Sequence, residues 1–61
     1  MAKTNAPTNA DAQRAAAAYR ADPNESTARA LLETVWARTH EGLGVDAVTM
    51  RTFERAFAVL D

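Results

Sequence analysis

The stretch 22-DPNESTARALLETVWARTHEGLG-44 carries a helix start signal, an apolar stripe and a helix stop signal in chain order. Asp22 and Glu25 have the spacing of a capping box, and the fixed φ of Pro23 between them suits the first position of a helix. Gly42 then supplies the left-handed residue that commonly closes a helix. We therefore expect a long helix between these signals, against which the rest of the chain packs.

Apolar side chains within this stretch recur at the i, i+3, i+4, i+7 spacing of one helix face. They are Ala28, Leu31, Leu32, Val35 and Trp36, and Thr39 continues the same stripe. The opposite side carries Glu25, Arg29 and Glu33, a ladder of alternating charge that supports a solvated helix face. Trp36 lies at the edge of the apolar stripe, a position that suits either a lid on the core or an anchor in an interface.

Residues 11–21 are rich in alanine and predict a first helix that buries little apolar surface. Asn9 or Asp11 can cap it, and Tyr19 is its one large apolar side chain. The helix should end at Asp22, because a residue before proline is disfavoured in the α region.

Residues 45–61 predict a third helix, for which either Asp46 or Thr49 can be the N-cap. The core face predicted for this helix consists of Met50, Phe53, Ala56, Phe57 and Leu60. Val59 points away from that face, so the packing of three helices leaves this large apolar side chain unexplained.

The predicted fold class is therefore all-α, with a helical hairpin of the second and third helices and an alanine-rich first helix laid against it. Residues 1–10 carry no large side chain after Met1 and are predicted to be a flexible tail before a single domain of residues 11–61. A chain of 61 residues without cysteine buries too little surface to be comfortably stable alone. We therefore expect self-association or docking onto a larger protein.

The charge balance argues against a polyanionic partner. Seven basic residues face eight acidic ones, and neither sign forms a block, which disfavours nucleic acid and anionic membranes as partners. No apolar run is long enough to span a bilayer, and the N-terminus lacks a secretory signal, so a cytoplasmic location is expected. Six arginines against one lysine, with abundant alanine, are typical of a GC-rich genome such as that of an actinobacterium or its phage.

No motif in the chain predicts catalysis, a cofactor, a metal site or a small-molecule substrate. His40 and Glu41 begin the His-Glu-x-x-His metalloprotease pattern, but Gly44 stands where the second histidine would be,. Ser26, the only serine, has no base beside it in sequence,. Enzymatic activity is therefore not expected.

The function predicted from these features is protein–protein interaction by a small helical module. It would self-associate, or act as a regulator or inhibitor by binding a larger protein. The predicted interface residues are Trp36, Phe57, Val59 and Leu60, with Arg29, Arg51 and Arg55 on the rim.

The alternative is a small dimeric DNA-binding protein that resembles a helix-turn-helix in outline and reads DNA with its third helix. Arg51 and Arg55 lie one turn apart on the outer side of that helix, where phosphate and base contacts are made. Against this alternative, the bulky residues Arg38 and His40 stand four positions before the two turn glycines, where a small residue is usual.

Overall fold

The computed structural model of the chain describes residues 6–60. It contains three helices: α1 (Asn9–Ala21), α2 (Glu25–His40) and α3 (Ala47–Leu60). No strand occurs between residues 6 and 60, and all three helices pack against one another, so the predicted all-α three-helix fold is confirmed. Residues 1–5 of the predicted tail lie outside the described residues.

Side-chain hydrogen bonds show that α1 and α3 run in the same direction. Near the start of both helices, Gln13 Nε2 donates to Asp46 Oδ1 at 3.3 Å. Two turns further along, Arg20 NH1 donates to Thr52 Oγ1 at 2.8 Å. The contacts advance together along the two chains, as only parallel helices allow.

Arg38 shows that α2 runs opposite to the other two helices. Its guanidinium lies in the last turn of α2 and donates to the carbonyl of Pro7, just before α1, at 3.0 Å. It also donates to the carbonyl of Gly44, just before α3, at 2.8 Å. The end of α2 therefore lies beside the starts of α1 and α3, which gives an up-down-up arrangement with the predicted α2–α3 hairpin.

Small side chains let the helices approach closely around one apolar cluster. The cluster consists of Ala16, Tyr19, Ala28, Leu31, Leu32, Val35 and Ala56. Four of its members come from the predicted stripe of α2, which is confirmed for them, whereas Thr39 is exposed. The alanines of α1 and α3 contribute no bulk, so the large core side chains come mainly from α2.

The first helix begins earlier than predicted. Its N-cap is Thr8, whose Oγ1 accepts from the amide of Asp11 at 3.1 Å. The carboxylate of Asp11 accepts in turn from the amide of Thr8 at 2.9 Å, which completes a capping box,. The expectation of Asn9 or Asp11 as the N-cap is wrong, because Asp11 occupies the third position of this box.

The start of α2 also differs from the prediction. The capping box is formed by Asn24 and Thr27, not by Asp22 and Glu25: Asn24 Oδ1 accepts from the Thr27 amide at 2.9 Å, and Thr27 Oγ1 accepts from the Asn24 amide at 3.1 Å. Asp22 cannot cap α2 because it is already the C-cap of α1, where its amide donates to the carbonyl of Ala18 at 3.0 Å.

The stop signal after α2 is confirmed at Gly42, which has a φ of 79°. Its amide donates to the Thr39 carbonyl at 2.9 Å, and the amide of Leu43 donates to the Arg38 carbonyl at 2.8 Å. This pair of bonds is the Schellman motif, and the left-handed backbone it requires favours glycine.

The core face of α3 is rotated from the predicted one. Thr49, Thr52 and Ala56 are buried, whereas Phe57, predicted to lie in the core face, is half-exposed. The threonines tolerate burial because their hydroxyls are bonded, Thr49 Oγ1 to Asp46 Oδ1 at 2.7 Å and Thr52 Oγ1 to the Val48 carbonyl at 3.1 Å,. The small side chains of α3 therefore face the interior of the bundle, and the ring of Phe57 lies on the flank of the helix.

The N-cap of α3 is Asp46, one of the two predicted starts. Its carboxylate makes the free energy of unfolding depend on pH in the acid range. Its hydrogen bonds from Thr49, and then from Gln13, lower the pKa of Asp46 from 3.8 to about 2. Because the folded pKa is depressed, the stabilisation is complete above the unfolded pKa and is lost as pH falls from about 4 towards 2.

We expect Asp46→Asn to flatten the loss of stability below pH 4, because asparagine still caps a helix but does not ionise. Urea unfolding followed by circular dichroism between pH 2 and pH 7 measures it. Glu33→Gln, at an exposed site on α2, is the control and should leave the profile as in the wild type. An unchanged acid limb in Asp46→Asn would contradict the assignment.

Candidate interaction surfaces

Among the side chains that the structure describes, five large apolar ones remain about half-exposed. They are Trp36 at 51%, Leu43 at 42%, Val48 at 57%, Phe57 at 48% and Val59 at 55% of their full accessible surface. A single exposed apolar residue is ordinary, but several in so small a domain mark surfaces that another protein can cover.

The predicted interface residues on α3 do not share one side of the helix. Phe57 and Val59 are two residues apart, which turns their side chains about 200° from each other on a helix. Phe53, four residues before Phe57, packs partly against the core. Arg51 and Arg55 lie on the Val59 side and are exposed, so α3 presents two separate flanks.

Trp36 belongs with Phe57, on the side where α2 adjoins α3. Arg38 is two residues from Trp36 and therefore points to the opposite side of α2. Gln13 and Arg20 lie on one side of the buried stripe of α1 and contact α3, so α2 packs on the other side of that stripe. Because α2 is antiparallel to the other two helices, this handedness places the Arg38 side of α2 next to α1. The Trp36 side must then adjoin α3.

We call this surface the aromatic face and define it by Trp36, Met50, Phe53 and Phe57. Met50 and Phe53 are partly buried, while Trp36 and Phe57 are half-exposed. The rings of Phe53 and Phe57 lie with centroids 6.2 Å apart and planes tilted by 32°, within the range of favourable aromatic pairs. The pair holds Phe57 in place at the edge of the core.

The second surface lies where α3 adjoins α1, and we call it the arginine–valine face. It is defined by Arg20, Val48, Arg51, Arg55 and Val59. Arg20 is placed there by its bond to Thr52 Oγ1, and Val48 and Val59 lie within about 20° of each other around α3.

Arg29 is seven residues before Trp36, which places the two side chains within about 20° of each other around α2, so Arg29 borders the aromatic face. Its guanidinium contacts the Glu25 carboxylate at 3.2 Å, as the predicted charge ladder implies. A shallow open depression along this ladder is lined by Glu25, Ser26, Arg29, Ala30 and Glu33. Leu60 ends α3, but its side chain lies outside the described part of the structure.

Sequence reasoning overlooked Val48, Leu43 and Arg20 as surface residues. The i, i+11 relation of Val48 to Val59 places both on one stripe of α3. That relation was readable from the sequence. The position of Arg20 was not, because it depends on which side of α1 meets α3.

Between residues 6 and 60, no three carboxylate or histidine side chains come together as metal ligands. Over the same residues, no helix is long and apolar enough to cross a bilayer.

No protein family model, curated protein or solved structure matches this chain.

Proposed function

We propose that the chain is a small protein–protein interaction module that self-associates, or regulates a larger protein by binding it. The observation that carries this proposal is the exposure of Trp36 and Phe57 on one face. Tryptophan is among the residues most enriched at binding hot spots. Phe57 adds a second ring, held beside the core by Phe53.

The affinity expected from this face is modest. Full burial of a large apolar side chain contributes about 1.5–3 kcal/mol, and half of that is already realised in Trp36 and Phe57. In a symmetric dimer both copies contribute, yet association must overcome several kcal/mol of lost freedom. We therefore expect dissociation constants in the micromolar range or weaker, where dilution separates the partners.

Self-association should be visible as a molar mass above that of one chain at high concentration. Dilution should return the mass to one chain and shift Trp36 emission to the red, because water then reaches the indole. Light scattering and fluorescence across a wide concentration range measure the two quantities on the same samples.

Phe57→Asp should raise the dissociation constant of the self-associated form by about tenfold or more, because an unpaired carboxylate would enter the apolar contact. Ala58→Asp, on the outer side of α3 where Ala58 is exposed, introduces the same charge one residue away and should have little effect. Circular dichroism verifies that both variants stay helical.

A monomer at every concentration would exclude self-association and leave the second form of the proposal, in which a larger protein covers the aromatic face. Affinity capture with wild type and with Phe57→Asp then tests it. If the wild type neither self-associates nor captures a protein that Phe57→Asp loses, the proposal is wrong.

The DNA-binding alternative is supported by the exposure of Arg51 and Arg55 on the outer side of α3. Two observations weigh against it: α2 and α3 are separated by residues 41–46, longer than the usual three- to four-residue turn, and the net charge is −1. If duplex DNA is bound, affinity should fall steeply with salt, and Arg51→Ala should reduce that slope.

A further inference from the structure

We infer that the arginine–valine face binds an acidic amphipathic helical segment of a partner protein. This inference rests on the proposed function as an interaction module and names the chemistry of one partner. It concerns a surface separate from the aromatic face, on the opposite flank of α3.

The arginines of this face lack the carboxylate partners that exposed arginines elsewhere in the chain have. Arg14 contacts Asp11 at 2.9 Å, and Arg29 contacts Glu25. Within residues 6–60, neither Arg20, Arg51 nor Arg55 forms an ion pair. Arg20 donates to the neutral hydroxyl of Thr52, so its charge is not compensated there.

Nearby acidic groups offset only part of the charge of the three arginines. The carboxylate of Asp46, at the N-terminal end of the face, accepts hydrogen bonds from the neutral groups of Thr49 and Gln13 and keeps its negative charge. Glu54 is three residues from Arg51, but the two side chains form no ion pair among the described residues. The face therefore presents a local positive field on a chain whose overall charge is slightly negative, and a carboxylate-bearing partner would complement it.

The two valines offer apolar contacts to the partner, and their spacing sets the length of the helix that can cover both. Val48 and Val59 lie on one stripe of α3, about 16 Å apart along the helix axis, with Arg55 between them. Both side chains are more than half exposed. A helix with two apolar residues at the same separation and glutamates between them would bury both valines and pair with the arginines.

The valines also decide between a protein and DNA as the occupant. The duplex backbone offers phosphates to arginine but no apolar surface to cover two exposed valines. An amphipathic acidic helix offers both kinds of contact. Exposed charge pairs contribute little individually, so the isolated segment should bind with a dissociation constant of tens to hundreds of micromolar.

The probe for this inference is a fluorescein-labelled synthetic helix of about 18 residues, about 27 Å long. It carries two leucines spaced like Val48 and Val59, with glutamates between them. One control peptide replaces the glutamates by lysines, and another shuffles the original residues. Fluorescence anisotropy with the full chain should show the acidic peptide binding at least about tenfold more tightly than either control.

Variants assign the binding to this face. Arg55→Gln should raise the dissociation constant of the acidic peptide by about fivefold, and Val59→Asp should raise it by about tenfold or more. Arg14→Gln removes the same charge from the outer side of α1 and should bind like the wild type. Thermal melts followed by circular dichroism establish that each variant is folded.

Three results would overturn the inference: equal binding of the shuffled peptide, wild-type binding by both Arg55→Gln and Val59→Asp, or tighter Arg55-dependent binding of labelled duplex DNA. If the acidic peptide does not bind while Phe57→Asp still disrupts self-association or capture, only this inference is wrong and the proposed function stands. If the chain shows no association of any kind, both fall.

Discussion

Leu31→Ala should remove a large share of the free energy of unfolding at 25 °C. Leu31 is fully buried, in a cluster to which all three helices contribute. Truncating a buried leucine costs about 2–5 kcal/mol, whereas a domain of this size is expected to have only about 3–9 kcal/mol of total stability. The small alanines around the site cannot extend into the cavity, which favours the upper part of that range.

The measurement is urea unfolding followed by circular dichroism, with the helical signal in water as the first readout. Leu43→Ala makes the same chemical change in the connection between α2 and α3, where Leu43 is exposed, and should cost less than about 0.5 kcal/mol. Equal stability losses in the two variants would mean that Leu31 is not the centre of the core.

Arg38→Ala should lower the free energy of unfolding by about 1–3 kcal/mol, because hydrogen bonds to a charged donor are stronger than neutral ones. Its guanidinium joins the carbonyls of Pro7 and Gly44, which belong to the segments leading into α1 and α3. It also places a positive charge at the C-terminal end of α2, where the helix dipole favours one. The substitution therefore removes the hydrogen bonds that hold both segments against the end of α2.

Arg38→Lys distinguishes the two contributions, since lysine keeps the charge but lacks the planar fork that reaches two carbonyls. We expect it to recover only part of the loss, by the same urea measurement. Arg14→Ala, which removes an exposed ion pair with Asp11, should change stability by less than about 1 kcal/mol. Full recovery by lysine would show that charge alone, not the paired hydrogen bonds, stabilises this end of the bundle.

The proposed interaction module has two separate faces on one small chain. Phe57 and Val59 are two residues apart, yet they project to opposite flanks of α3. A partner on the aromatic face therefore leaves the arginine–valine face free. We expect the effects of Phe57→Asp and Val59→Asp to be separable, because the two substitutions act on different contacts.

Local signals were enough for the helices but not for every boundary. The stripe through Leu31 and Val35 and the left-handed Gly42 follow from spacing and backbone sterics alone. The predicted N-cap of α2 was wrong because two nearby residues can both cap a helix. Asp22 has the right side chain for an N-cap, but the end of α1 had already used it, and Asn24 caps α2 instead.

The sequence by itself determined that three helices form, because periodicity and the Gly42 stop act within a few residues of chain. Only the tertiary structure decided which side of each helix is covered. Thr49 and Thr52 are buried and Phe57 is left half-exposed, while the bond from Arg20 to Thr52 aligns α1 with α3. These outcomes depend on how the surfaces of three helices fit together, and those surfaces come from distant parts of the chain.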